Sequence, residues 1–218
     1  MDSGSLLVNE IFYSLQGEST HAGRPCVFVR LAGCDLRCNW CDTEYAFDEG
    51  RKMTVAEVVE QVEACRCPLV EITGGEPLVQ EGGVYLLIAA LLERGHELML
   101  ETSGAHDVSR VDPRVIKVMD LKCPGSGQCE RNLWSNLEHL TARDEVKFVI
   151  ADRADFEWAR EVLGSRALAE RVNAVLFSCA SGRLAPARLT AWMLADRVPA
   201  RFQLQLHKHI WPPNARGV

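Results

Sequence analysis

Three cysteines in one short polar loop are the residues of this sequence best suited to chemistry. Cys34, Cys38 and Cys41 have the spacing C-x3-C-x2-C and follow an apolar run that ends at Gly33. Cysteine thiolates are the usual ligands of iron–sulfur clusters. Three of them hold three irons of a [4Fe–4S] cluster and leave the fourth iron open to a small molecule. A reaction needs such an open iron, whereas a simple electron carrier does not.

A zinc site is the alternative use of three closely spaced cysteines. Zinc would need a fourth ligand from elsewhere in the chain, and His21 is an available candidate. Structural zinc sites normally show two C-x2-C-like pairs, and the second such pair is missing here. We therefore favour the cluster. Cys65 and Cys67 follow an amphipathic helix and are interpreted as small apolar side chains, whereas the roles of Cys123 and Cys129 stay open.

Length, composition and charge limit the class of protein. The chain has 218 residues, a formal net charge of −6, 47% hydrophobic residues and 25% charged residues, which suits an α/β domain with a sizeable core. The acidic balance disfavours binding to nucleic acid or to an anionic membrane, and no apolar run approaches the ~20 residues of a membrane span. The N-terminus lacks the parts of a signal peptide. Since thiols stay free in a reducing compartment, the nine cysteines fit a cytoplasmic protein.

Apolar patterns and capping residues predict an alternation of strands and helices. Strands are predicted at residues 6–15, 25–32, 69–73, 98–102, 115–120, 145–150, 174–178 and 202–206. Helices are predicted after a Thr54–Glu57 capping box, at residues 84–94, at residues 132–140, from Asp152 to about residue 164, and from Pro186 to about residue 197. The tail from residue 207 is predicted to be irregular.

This alternation predicts an α/β fold with parallel strands and right-handed crossovers. A complete eight-unit barrel needs about 250 residues, so we expect an incomplete (β/α)6-like TIM barrel with an N-terminal strand extension. No linker, repeat or low-complexity run interrupts the sequence, which predicts one domain over residues 1–218. Because the loops after the strands meet at the active-site face of such a barrel, the cysteines and the polar loops are expected to line one mouth.

Two of these loops carry residues that suit a ligand or a metal ion. The pair Gly74-Gly75 lets backbone approach a ligand closely. Glu101 ends a strand and is either a ligand contact or a solvated strand end. Thr43 and Asp42 directly follow the third cysteine. Thr43 either binds Mg²⁺, a hard cation that prefers oxygen, or caps a helix.

Two further positions suit a carboxylated ligand. Arg30 interrupts an otherwise apolar strand, so its side chain is expected to face the cavity or a partner. There its guanidinium suits a substrate carboxylate, and an ordinary salt bridge to Glu10 is the alternative. His207 and Lys208 follow the last predicted strand and belong at the same mouth, although a structural role for His207 is equally open.

These motifs together resemble the 7-carboxy-7-deazaguanine synthases, a family of radical S-adenosylmethionine (SAM) enzymes. The resemblance runs nearly end to end and is carried by FYSLQGE at 12–18, RP at 24–25, FVRL at 28–31, GC at 33–34, CDT at 41–43, TGGEP at 73–77, ETSG at 101–104 and QLHK at 205–208. QGE and CDT are specific to this family, whereas C-x3-C-x2-C and GGEP mark only the superfamily. Ser19 stands where many members have glycine, Cys123 stands where serine or threonine is expected, and the tail at 211–218 does not match.

The resemblance implies a carbon–nitrogen lyase of queuosine and 7-deazapurine biosynthesis. Its substrate would be 6-carboxy-5,6,7,8-tetrahydropterin, which would lose hydrogen from C6, contract its ring and release ammonia to give 7-carboxy-7-deazaguanine. The implied cofactors are a [4Fe–4S] cluster, SAM and Mg²⁺. The implied partners are a second copy of the chain and an electron donor such as a flavodoxin or a ferredoxin. Another small radical SAM enzyme, such as a glycyl-radical activase, is the alternative, and a non-catalytic metal-binding module is a further class.

The resemblance also gives roles to individual residues. Cys34, Cys38 and Cys41 would be the cluster ligands at the catalytic centre, and Thr43 would bind Mg²⁺. The residues expected at SAM are Gly75, Glu101, Ser103, Lys122, Cys123, Pro124, Ser178, Cys179, Ala180 and Ser181. The residues expected at the substrate are Leu15, Gln16, Gly17, Glu18, Arg30, Thr73 and His207.

Overall fold

The computed structural model describes residues 4–212 and 215–218, and its strands form one mixed sheet. The strands are β1 (Ser5–Leu15), β2 (Pro25–Leu31), β3 (Arg51–Thr54), β4 (Leu69–Gly74), β5 (Glu97–Thr102), β6 (Ile116–Asp120), β7 (Glu145–Ile150), β8 (Ala174–Cys179) and β9 (Arg201–Gln203). Their spatial order is β3-β1-β2-β4-β5-β6-β7-β8-β9. Strands β2 and β4 to β9 run parallel, and β1 pairs antiparallel with β2 and β3.

The edge strands of this sheet, β3 and β9, do not pair with each other in the described part of the chain. The barrel is therefore open, which confirms the predicted incomplete (β/α)6-like architecture with an N-terminal extension. The extension contains β3 as well as the expected β1. In β3 the side chains of Arg51 and Lys52 are exposed and only Met53 is buried. Four residues with one buried side chain give no apolar alternation, so the sequence did not indicate this strand.

Six α-helices in the described residues flank the sheet: α1 (Val55–Ala64), α2 (Glu81–Glu93), α3 (Arg153–Ser165), α4 (Leu168–Arg171), α5 (Pro186–Ala195) and α6 (His207–Ile210). The helix α1 begins at the predicted capping box. The Glu57 amide donates to the Thr54 hydroxyl at 3.2 Å, and the Thr54 amide donates to the Glu57 carboxylate at 2.7 Å. Asp152 caps α3 by accepting a hydrogen bond from the Asp155 amide at 2.9 Å. Local capping chemistry thus sets both helix starts.

The predicted helix at residues 132–140 is instead a short 3-10 helix, Trp134–His139. Asn132 exchanges two hydrogen bonds with the backbone of Lys122, both at 2.9 Å. Asn136 donates to the Gly104 and His106 carbonyls at 3.1 and 2.7 Å. These side-chain bonds to neighbouring loops compete with a regular α-helix.

The predicted strand at residues 202–206 is also shorter, because β9 ends at Gln203 and the chain then enters α6. The side-chain amides of Gln203 and Gln205 both donate to the Glu18 carboxylate, at 2.9 and 2.8 Å. The Leu206 amide donates to the Gly17 carbonyl at 2.9 Å. The loop after β1 therefore reaches across to β9 and joins the two sides of the open barrel through polar bonds.

Apolar side chains between the sheet and its helices form the core. One buried cluster surrounds β2, β4 and β5 under α1 and α2, and a second surrounds β7 and β8 under α3 and α5. A buried ion pair joins Lys117 to Asp144 at 3.0 Å. Within residues 4–212 and 215–218, every helix is too short or too polar to cross a lipid bilayer.

Candidate active site

A cavity of about 490 Å³ lies where the loops after the parallel strands meet, at the barrel face expected for an active site. The cysteine loop, the glycine pair Gly74-Gly75 at the end of β4 and the C-terminal residues 215–218 all contribute to its lining. The charged residues that line it are Arg30, Lys122, Lys147, Lys208, Arg216, Glu10, Glu18, Asp42, Glu71, Glu101 and Asp120. The loops that the sequence placed at one mouth thus converge in the structure.

Most of the predicted site residues line this cavity. They are Leu15, Gln16, Gly17, Glu18, Arg30, Cys34, Cys38, Cys41, Thr43, Thr73, Gly75, Glu101, Ser103, Lys122, Cys179, Ser181 and His207. Cys123, Pro124, Ser178 and Ala180 are outside the lining. Three of these four are buried, and the Cys123 carbonyl accepts a bond from the Ser126 hydroxyl at 2.6 Å. Contacts from these four positions to SAM stay a prediction.

The cysteine loop packs directly against the glycine pair. The Gly75 amide donates to the Leu31 carbonyl at 3.1 Å, and the Glu76 amide donates to the Gly33 carbonyl at 2.9 Å. A Cβ atom on Gly75 would overlap the Gly33 carbonyl and lie 2.8 Å from the Cβ of Cys34. Only glycine fits this approach. Because the Gly75 amide is already bonded, this loop holds the cysteine loop in place as well as facing the cavity.

A buried carboxylate ties the glycine pair to the end of β5. Glu76 is fully buried and accepts hydrogen bonds from the Leu78 amide at 2.9 Å, the Thr102 hydroxyl at 3.0 Å, and the Ser103 amide and hydroxyl at 2.7 and 2.6 Å. The hydroxyl of Ser103, a residue predicted to contact SAM, therefore donates its hydrogen bond to Glu76. These bonds fix the relative position of two loops that line the cavity.

The alternative zinc site does not find its candidate fourth ligand near the three cysteines. In the described residues 4–212 and 215–218, the His, Cys, Asp and Glu side chains form no group of three or more that is placed to hold a metal ion. The proposed fourth zinc ligand, His21, instead contacts Arg24 and Glu97. Glu97 begins β5, at the end of the sheet opposite the cysteine loop.

A lysine that the sequence did not indicate connects the carboxylates of the cavity. Lys147 lies in β7 and forms ion pairs with Glu18 at 3.0 Å and with Glu101. Desolvation opposes the ionised form of Glu101, yet the charge of Lys147 holds the pKa of Glu101 below its usual value. Glu101 is therefore not a solvated strand end. The Thr73 hydroxyl donates to its second oxygen at 3.3 Å.

A second lysine of the cavity lining also forms an ion pair with a carboxylate. Lys122 lies 2.9 Å from Asp120, whose other oxygen is buried and accepts no hydrogen bond in the described residues. Lys147 is 3.9 Å from the same carboxylate. The wall near the predicted SAM residues thus alternates positive and negative groups.

Arg30 forms the salt bridge to Glu10 that the sequence left open as an alternative, and its contact with a substrate carboxylate stays a prediction. Its Nε donates to Glu10 at 2.8 Å, and the Tyr45 hydroxyl donates to the same carboxylate oxygen at 3.1 Å. This pairing leaves the two terminal nitrogens of the guanidinium without a partner among the described residues. Arg30 also lines the cavity. The salt bridge therefore orients a guanidinium whose outer edge suits a carboxylate.

The segment after the third cysteine is joined to the C-terminal helix. Thr43 precedes the short helix Glu44–Ala46, but its side chain makes no capping bond there. Its hydroxyl instead donates to Asp42 at 3.2 Å. Although desolvation opposes ionisation, the charge of Lys208, whose Nζ lies 2.5 Å from the carboxylate, lowers the pKa of Asp42 to about 2. Asp42 and Thr43 thus present oxygen atoms beside the cysteine loop.

The residue His207 closes over the loop after β1. A Cβ atom on Gly17 would overlap the His207 ring, so glycine is needed for this contact. Desolvation lowers the pKa of His207, and the ring is therefore neutral at pH 7. The histidine thus has both a packing role and a place in the cavity lining.

Comparisons with known proteins identify the class to which this fold and site belong. A family model described as the radical SAM superfamily matches residues 29–120. The crystal structure of QueE from Escherichia coli superposes with a TM-score of 0.74 at 23% identity, covering 91% of this chain and 94% of that one, which supports the fold. The protein is a radical SAM enzyme, and members of this class use a [4Fe–4S] cluster and SAM.

Full-length relatives define the family more narrowly. The 7-carboxy-7-deazaguanine synthase of Chlorobaculum tepidum is 47% identical over 216 residues, which cover 98% of this chain and 97% of the relative. The enzyme of the same name from Koribacter versatilis is 44% identical over 224 residues, with 97% and 99% coverage. The chain belongs to the 7-carboxy-7-deazaguanine synthase family. This result supports the main functional prediction over a glycyl-radical activase or a non-catalytic module.

Proposed function

We propose that this enzyme converts 6-carboxy-5,6,7,8-tetrahydropterin to 7-carboxy-7-deazaguanine with loss of ammonia. The names of its relatives give the product, and the family resemblance implies the substrate and the loss of ammonia. The observation that carries the proposal is that one cavity of about 490 Å³ is lined by the three cysteines, by Arg30 and by Glu18. This volume suits a cofactor with a small ligand. The C-terminal residues 215–218 also line it, so a protein segment would find little access.

The chain's own residues would bind and orient the substrate. Arg30, held by Glu10, would pair its outer edge with the substrate carboxylate. Thr73 and Glu18 also line the cavity and would offer polar groups to the pterin. His207 would cover the bound pterin. Orientation of the reacting carbon is what such contacts contribute to catalysis.

The cofactors fit the residues that are present. Cys34, Cys38 and Cys41 would hold the cluster, and SAM beside it would contact Gly75, Glu101, Ser103, Lys122, Cys179 and Ser181, all of which line the cavity. When bound, the cluster and SAM supply the 5′-deoxyadenosyl radical that abstracts hydrogen. Cys123, Pro124, Ser178 and Ala180 would support this site through their loops.

Mg²⁺ would bind at Thr43 once the substrate is present. One hydroxyl is a poor site alone, since Mg²⁺ prefers several oxygen ligands in octahedral geometry, and a substrate carboxylate would supply more. Asp42 lies next to Thr43 but is paired with Lys208. The substrate is therefore needed to complete the site.

We further propose three properties that the family resemblance suggests. The electron for the cluster would come from a flavodoxin or a ferredoxin, and the enzyme would be a homodimer. A cytoplasmic location agrees with the nine free cysteines of the described chain.

Product formation tests the proposed reaction. Anaerobically reconstituted enzyme is incubated with SAM, Mg²⁺, dithionite and the carboxypterin, and the product is identified by mass spectrometry. We expect 7-carboxy-7-deazaguanine from the native enzyme and none from the variant with Cys34, Cys38 and Cys41 all replaced by alanine. A fully loaded native enzyme that cleaves SAM but forms no such product would refute the proposal.

A further inference from the structure

A carboxyl group in the middle of β4 faces the cavity and has no role in the proposed function so far. Glu71 is 4% exposed and lines the cavity. A charged side chain in the middle of a buried parallel strand is unusual, because such strands are normally apolar throughout. Its strand neighbours Val70 and Ile72 are fully buried on the opposite face.

One oxygen of Glu71 is occupied and the other is open. The Gln16 side-chain amide donates to Oε2 of Glu71, and the carbonyl oxygen of the same amide accepts from the Glu18 backbone at 3.0 Å. The Gln16 amide is thus used at both ends. Oε1 of Glu71 accepts no hydrogen bond from the described residues, and it is not among the atoms sealed from solvent. The carboxyl therefore presents this oxygen to the cavity.

The surroundings of this carboxyl favour its neutral form. Desolvation, with the neighbouring carboxylates of Glu101 and Glu18, raises the pKa of Glu71 well above its usual value. Lys147 and the hydrogen bond from Gln16 oppose this rise but do not reverse it. The pKa of the buried Cys26 thiol on β2 is also raised, in part by the nearby Glu71. A neutral carboxyl offers one hydrogen-bond donor and one acceptor side by side.

The neighbouring strand supplies a flat apolar wall and, further along, a cation. Phe28 is in register with Glu71 and stacks on Phe12 with ring centroids 4.9 Å apart and planes 12° apart. Arg30 is in register with Thr73, two residues nearer the mouth. Two residues along a strand span roughly 6.6 Å, which is comparable to the length of a fused two-ring heterocycle.

We propose that Glu71 contacts the substrate and determines specificity for the amide edge of its heterocycle, while Arg30 holds the carboxylate at the other end. Oε1, the open oxygen, carries the carboxyl proton and donates it to the ring carbonyl. Oε2 accepts from the adjacent ring N–H with the lone pair that Gln16 leaves free, and the ring lies along Phe28. The inference rests on the proposed function, because it concerns the same substrate.

Two substitutions of nearly equal size separate this role from a simple packing role. Glu71→Gln keeps a donor and an acceptor without charge, so KM for the carboxypterin stays within about threefold. Glu71→Met removes both and leaves the buried ring edge unpaired, which raises KM about ten- to hundredfold. Ile72→Val, on the opposite face of β4, is the matched control. It costs some stability and leaves KM unchanged.

Binding of inert analogues shows whether the contact is to the ring edge. Pterin-6-carboxylate has the edge, whereas pyrazine-2-carboxylate has only the carboxylate and one ring. We expect Glu71→Met to weaken inhibition by the first at least tenfold and by the second less than twofold. Equal weakening of both, an unchanged KM in Glu71→Met, or a Gln variant as impaired as the Met variant would overturn the inference. Absence of product from the native enzyme would instead refute the proposed function.

Discussion

Replacing Lys147 by methionine is expected to destabilise the enzyme strongly at neutral pH. The Lys147 side chain is 6% exposed and its Nζ is paired with Glu18 at 3.0 Å and with Glu101. At an effective dielectric constant of 20, a pair at this distance attracts by roughly 5 kcal/mol, part of which offsets the cost of desolvating the charges. Removing one partner of a buried network leaves the others uncompensated and costs about 3–5 kcal/mol.

The loss should depend on pH in a defined direction. Burial opposes the charged form of Lys147, but Glu101 and Glu18 raise its pKa above the usual value of 10.5, whereas the pKa of Glu101 is lowered from 4.5. The lysine therefore contributes stability that is present below pH 10.5 and is lost as pH rises through its raised pKa. Glu101 contributes stability that is present above pH 4.5 and is lost as pH falls through its lowered pKa. The difference between native enzyme and variant should be largest between these limits.

Urea unfolding of the anaerobic, reconstituted proteins measures the effect. We expect Lys147→Met to lower the free energy of unfolding by about 3–5 kcal/mol at pH 7 and the melting temperature by about 6–20 °C, with a smaller loss below pH 4.5. Lys52→Met, at an exposed position of β3, is the control and should change stability by less than about 0.5 kcal/mol. A loss under 1 kcal/mol at pH 7, or one that is equal at acid pH, would refute the reasoning.

Three other substitutions test separate parts of the structure. Gly75→Ala should displace the cysteine loop, because its Cβ would overlap the Gly33 carbonyl, and iron bound after reconstitution should fall well below that of the native enzyme; full iron content would contradict the packing argument. Thr54→Ala removes the cap of α1 and should cost about 1 kcal/mol in urea unfolding, with KM unchanged; no measurable loss would show that the box is dispensable. Thr43→Ala should raise the Mg²⁺ concentration needed for half-maximal turnover while the iron content stays the same, and identical Mg²⁺ titrations would argue against this ligand.

The sequence predicted the parts of the fold that depend on local patterns. The strand Glu145–Ile150 was predicted with both ends correct, and the Thr54–Glu57 capping box was predicted because its chemistry is local. Convergence of the loops followed from the parallel order of the strands. The strand β3 was missed because three of its four residues are exposed. The prediction of one domain over residues 1–218 stays a prediction.

The candidate site was predicted where motifs mark it and missed where buried strands contribute to it. Cys34, Arg30 and their motif neighbours line the cavity as expected. Lys147 and Glu71 also interrupt apolar strands, as Arg30 does, but no recognised motif contains them and the sequence does not show what such a charge pairs with. Only the assembled sheet brings Lys147 to Glu101. The tail residues in the lining also carry no local signal of function.

The bridge between the loop after β1 and the chain around β9 has a consequence for biosynthesis. Ser19 and Glu18 bond to Gln203 across sequence separations of 184 and 185 residues, and Glu18 bonds to Gln205 across 187. Contacts between such distant segments form late in folding, and a chain emerging from the ribosome has made its N-terminal part long before residues 203–205 appear. The substrate loop therefore cannot reach its final position until residues 203–205 have been translated. A nascent chain arrested before β9 would contain every cysteine of the cluster loop and still lack a finished pocket.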